Sequence, residues 1–196
     1  MAADISSMLS KNIILVDADY IDKVAFDFTV NFERMLMRQI PKADLALWLD
    51  CVALDGGLEP GDNDIQVIFI YGNEEITNFA PGNVKDEIDG KAFKDNLGEF
   101  SMEAYPVESS VSTMGDQFTD TLRVLLDAEK VETIIAVPSM EEYGMKVKEA
   151  VKKNKQKQLT LLTIQPQSGL GFSQQQLGFS VVHALGVKGE EFQQMQ

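Results

Sequence analysis

With 196 residues, 44% of them apolar, and a formal net charge of −14, the chain can bury one sizeable core under a surface that repels nucleic-acid phosphates at long range. Cys51 is the only cysteine, which excludes an internal disulfide and a cysteine-based zinc cluster. No apolar run approaches the roughly 18 residues of a membrane span. MAADISSMLSK has neither a basic start nor an apolar signal core, so a cytoplasmic location is expected.

The first apolar run, KNIILVDADY (11–20), predicts a buried strand that ends in two carboxylates, Asp17 and Asp19. After it, Val24, Phe28, Phe32, Met35 and Leu36 recur at helical spacing, until Pro41 breaks the pattern. The period resumes in KADLALWLDCVAL (42–54) and stops at Gly56-Gly57, so two helices precede the next strand. Cys51 falls on the second of these and is expected to be a buried, reduced thiol. IQVIFIYG (65–72) is apolar, β-branched and bounded by turn residues, as a strand buried on both faces would be. Residues 74–97 are polar, acidic and interrupted by Pro81, Gly82 and Gly90, which predicts surface loops around one short helix.

EFSMEAYPV (99–107) reads as a third strand, and 113–130 as a helix with Phe118, Leu122, Leu125 and Leu126 inward. Thr113 followed by Asp116 has the form of a capping box at that helix's start. TIIAVPS (133–139) predicts a fourth strand, 141–154 a helix, and QLTLLTIQP (158–166) a fifth strand. QSGLGFSQQQLG (167–178) is expected to be a loop or short helix, and FSVVHALG (179–186) to pack back onto the body. His183, alone among apolar neighbours, is expected in the core. Strands alternating with helices imply an α/β fold: a mainly parallel five-stranded sheet, helices on both faces, in a Rossmann-like three-layer arrangement. One domain over 1–196 is expected, with its core at about 12–165 and residues 166–196 as an extension packed on it.

In such sheets sites gather beyond the carboxyl ends of the strands. Asp17 and Asp19 follow the first strand, Asp116 and Asp120 open the helix after the third, and Glu141 and Glu142 follow the fourth. Three or four of these carboxylates on one rim would suit Mg2+ or Mn2+. Each acid also has a structural reading. Asp19 or Asp22 can cap the first helix, while Asp116, Asp120, Glu141 and Glu142 suit the positive end of a helix dipole. Charge is unevenly spread: residues 55–103 hold twelve acids and three lysines, and 145–157 hold six lysines and one acid. Lys152, Lys153 and Lys155 are the candidate phosphate contacts, a solvated helix end being the other reading.

ILVDADYID, GDQFTDTLRVLL and VPSMEEYG together resemble the motifs of the PIN/NYN-like nuclease superfamily. That resemblance implies Asp17, Asp116 and Asp120 as metal ligands, with Glu141 completing the catalytic set, and a Mg2+- or Mn2+-dependent ribonuclease acting on RNA. Three departures imply that activity can have been lost: Tyr20 where the family has Asn, a short spacing from Asp116 to Asp120, and Glu141 where it has Asp. The apolar strand followed by Asp-x-Asp is also similar to haloacid-dehalogenase-like phosphatases, in which Asp17 would be the nucleophile and Asp19 the general acid/base. The whole chain resembles a family of unknown function from Bacteroides-type bacteria. The competing class is a non-catalytic interaction protein, with a homo-oligomer or a protein partner both open.

Overall fold

In the computed structural model, which describes residues 8–154 and 156–194, one seven-stranded sheet runs through the molecule. Strand β1 (Asn12–Asp17) lies at its centre, flanked by β3 (Asn63–Tyr71) and β7 (Thr133–Val137). Outward from β3 come β6 (Gly98–Pro106) and β5 (Ala92–Lys94), and outward from β7 come β8 (Gln158–Thr163) and β9 (Ser173–Gln176). Every pairing is parallel except β5 with β6. A second, two-stranded sheet joins β2 (Ala43–Asp44) to β4 (Phe79–Ala80).

The α/β class and the parallel pairing follow the sequence expectation, but the strand number does not. The five apolar strands are joined by two edge strands whose sequences, AFK and SQQQ, carry no apolar run. Ser173–Gln176 is exposed throughout and pairs through its backbone, so residues 167–178 are not simply a loop, and the expected extension enters the sheet itself.

Period-2 alternation sends Ile14 and Val16 to one face and Ile13 and Leu15 to the other. The first face is covered by α1 (Ala18–Leu36), α2 (Leu45–Asp55) and α5 (Leu177–Ala184), together with Ile76, Phe79, Val84 and Ile88 from the segment after β3. Within that segment Val84–Ile88 forms a single π-helical turn, the one short helix expected there. The second face is covered by α3 (Met114–Asp127) and α4 (Met140–Val151). A short α6 (Gly189–Gln193) follows near the C-terminus, where Phe192 packs on Phe32.

On α5 the buried positions are Leu177, Ser180, Val181 and Ala184, a helical stripe that turns His183 outward. His183 is therefore exposed rather than in the core. Cys51 is half-buried, not fully buried, and burial raises its thiol pKa. Among the described residues no helix is long and apolar enough to cross a membrane.

Candidate functional site

Taken in chain order, the six parallel strands lie 3-2-1-4-5-6, so the chain reverses direction across the sheet between β1 and β7. Beyond the carboxyl ends of these two strands is the topological switch point, where ligands of doubly wound sheets bind. Val16 pairs with Val137, so Asp17 and the turn Pro138-Ser139 leave the sheet side by side.

Asp17 is only 2% exposed, and it caps α1 itself: its Oδ1 accepts the Tyr20 N–H at 2.9 Å. Neither Asp19 nor Asp22 has the capping role expected of them. Asp19 accepts the backbone N–H groups of Gly72 and Asn73 and the Asn73 side chain, tying α1 to the end of β3. Asp22 holds Asn78 through its backbone N–H and its amide. The remaining oxygen of Asp17, Oδ2, accepts the hydroxyl of Tyr143 at 2.6 Å. That tyrosine lies on α4 where the chain leaves helical dihedrals, at φ −137° and ψ 26°, and its hydroxyl oxygen accepts the Ser139 N–H at 3.2 Å. Burial pushes the Asp17 carboxyl up from 3.8 to about 6; the two hydrogen bonds pull it down, and Asp19 and Glu142 add repulsion. Burial beside Asp17 raises the Tyr143 hydroxyl far above the tyrosine range, so it stays a donor.

Of the other predicted acids, Glu141, Asp116 and Asp120 are also engaged within the chain. Glu141 accepts the Tyr20 hydroxyl at 3.2 Å. Asp116 completes a capping box with Thr113 and forms an ion pair with Lys146 at 2.5 Å. Lys146 and Thr113 lower its carboxyl to about 2. Asp120 sits on the outer side of α3, 73% exposed, beside Arg123 at 2.7 Å. The rim thus brings together Asp17, Asp19, Glu141 and Glu142 around two tyrosines, and leaves Asp120 outside.

The donor set does not fit Mg2+ or Mn2+. Both oxygens of Asp17 face N–H or O–H donors, as do those of Asp116, and the ring of Tyr143 packs against Gly115 and Phe118. Among the described residues, no group of three or more His, Cys, Asp or Glu side chains is placed to hold a metal.

Lys152 and Lys153 are exposed at the far end of α4, about 18 Å of helix away from the rim. Lys152 pairs with Glu149, and Lys155 lies outside the described residues. Lys152 and Lys153 therefore lie at the opposite end of the sheet from the strand-end acids.

Four residues of the site were missed in the sequence: Tyr20 as Glu141's partner, Tyr143, Ser139 and Gly115. A Cβ on Gly115 would lie 2.8 Å from that of Tyr143, so only glycine lets the ring reach Asp17. Ser139 Oγ is buried without a partner among the described residues. The one sequence signal was a tyrosine directly after two acids in VPSMEEYG, where a helix's first turn can point a side chain back at the strand end.

Fold and site define a doubly wound α/β protein whose switch-point Asp17, Asp19 and Glu141 are paired within the chain. By sequence it belongs to a family described as "Family of unknown function (DUF6621)", which matches residues 6–192. No curated protein and no solved structure matches the chain.

Proposed function

We propose that the protein is a non-catalytic cytoplasmic interaction protein on a nuclease-like α/β scaffold, in which the strand-end acids serve the fold. One observation carries this reading: the four acids nominated for catalysis, Asp17, Asp116, Asp120 and Glu141, each have a hydrogen-bond or ion-pair partner within the chain. A metal-binding cluster without metal leaves carboxylates facing one another. Here Asp17 faces a tyrosine hydroxyl and a helix N–H, which stabilise its charge in place of a cation.

A metal-dependent ribonuclease is the second reading. It is favoured by the crowding of Asp19 and Glu142 on the buried Asp17, a repulsion that a divalent cation would relieve. The experiment is incubation of the protein with single-stranded RNA in millimolar Mn2+. The interaction reading expects no cleavage above the buffer rate. Cleavage that disappears in Asp17→Asn establishes the nuclease reading instead.

A further inference from the structure

The second face of the sheet is covered unevenly. α3 packs against β1 and β3, and α4 packs beside α3. The connection from β3 to β6 runs over the first face, where its Ile76, Phe79, Val84 and Ile88 are buried. On the second face β6 therefore has no helix above it among the described residues, and it presents Glu99, Ser101, Glu103 and Tyr105 there. Between this strand and α3 runs a groove of about 390 Å3, floored by Ile68 and Ile70 and walled by Val124 and Leu125, with Met8 at one end.

Val124 is 54% exposed and Tyr105 47%, unusual for large apolar side chains facing each other across a groove. The open strip, β6 with β5, is about 10 Å wide, close to the diameter of one α-helix. Its polar border is mainly acidic, with Lys94 of β5 opposite Glu99 on the same face. Glu103 lines the groove, holding the Tyr105 hydroxyl at 2.7 Å, and Glu99 and Asp64 follow on the same sheet face by alternation. Among the described residues no lysine or arginine lines the groove itself.

We propose that this groove docks one amphipathic helix of a partner protein, with an apolar stripe laid on Ile68, Ile70 and Val124 and flanking lysines or arginines over Glu103. The helix would complete the missing part of the second layer, the helix-in-groove mode of recognition. A second copy of the chain suits the groove less, because each copy carries −14. The inference deepens the interaction reading by naming the partner's chemistry. Its test is separate from the RNA assay, because the groove shares no residue with the carboxylate rim.

The probe is a fluorescein-labelled 18-residue helical peptide with leucine at positions i, i+3, i+4 and i+7 and lysine elsewhere, titrated with the full chain at physiological salt. Saturable binding is expected, with shifts in the Ile68, Ile70 and Val124 methyl resonances. Affinity should fall at least tenfold in Tyr105→Lys/Val124→Lys and severalfold in Glu103→Lys. Glu190→Lys, the same charge change outside the groove, should stay within twofold of wild type. Three results overturn the proposal: no saturable binding, equal weakening by Glu190→Lys and Glu103→Lys, or a wild-type dimer in light scattering that Tyr105→Lys/Val124→Lys dissociates. The last would assign the groove to a second copy.

Discussion

Replacing Asp17 with asparagine isolates what burial costs this carboxylate. In the folded chain its pKa stands at about 6 instead of 3.8. The folded state therefore binds more protons than the unfolded chain between these values, and stability falls as pH rises through that window. Above it the ionised carboxylate costs about 3 kcal/mol relative to its neutral form, at about 1.36 kcal/mol for each tenfold change in proton affinity. Asparagine never ionises. Its carbonyl oxygen can still accept the Tyr20 N–H, so the cap survives. At pH 4.5 the neutral carboxyl and the amide offer similar groups, and the two proteins should unfold within about 1 kcal/mol of each other. At pH 7.5 Asp17→Asn should be the more stable by about 2–3 kcal/mol. Urea unfolding of both proteins at pH 4.5, 6 and 7.5 measures the difference, and effects of other titrating groups cancel in it. An Asp17→Asn protein less stable than wild type at pH 7.5, or a difference that does not change with pH, refutes the reasoning.

Tyr143→Phe removes the donor to Asp17 Oδ2 and should cost about 1–3 kcal/mol at pH 7.5, with a smaller loss in an Asp17→Asn background, read by the same urea curves. Gly115→Ala should cost about 1–3 kcal/mol and shift the Tyr143 ring resonances, because the new methyl group overlaps Tyr143 Cβ. Thr113→Ala loses the α3 cap and should cost about 1 kcal/mol in thermal unfolding, with no change in the pH dependence assigned to Asp17. Under the ribonuclease reading, Lys152→Glu/Lys153→Glu should weaken RNA binding and flatten its salt dependence. The interaction reading expects no measurable RNA affinity in either protein, by filter binding.

Four of the five strands were legible as runs of Val, Ile, Leu or Phe between turn residues, as in Ile65–Tyr71, whereas β6 alternates Phe100, Met102 and Ala104 with polar residues. The edge strand Ser173–Gln176 was not, since an exposed SQQQ pairs only through its backbone and leaves no pattern in its side chains. His183 was misplaced by reading its apolar neighbours rather than the period of Leu177, Val181 and Ala184, which turns it to solvent. The positions of the acids at strand ends and helix starts were also legible, and Thr113 with Asp116 forms the expected capping box. Their partners were not. Tyr143 lies 126 residues from Asp17, and Lys146 lies 30 from Asp116, so nothing local announces that these carboxylates are already engaged. The lysine run showed a similar limit: its charge was plain, but the place of Lys152 and Lys153 at the opposite end of the sheet depended on which way α4 runs, and Lys146 of the same run turns back to Asp116.

That the acid rim serves the fold rather than a cation is tested most directly by a Mn2+ titration of the wild-type melting temperature at pH 7.5. A ligand that binds only the folded state stabilises it in proportion to the logarithm of its saturation. With both oxygens of Asp17 held by Tyr20 and Tyr143, the melting temperature should stay flat through millimolar Mn2+. A saturable rise in the wild type that is absent from Asp17→Asn would contradict it.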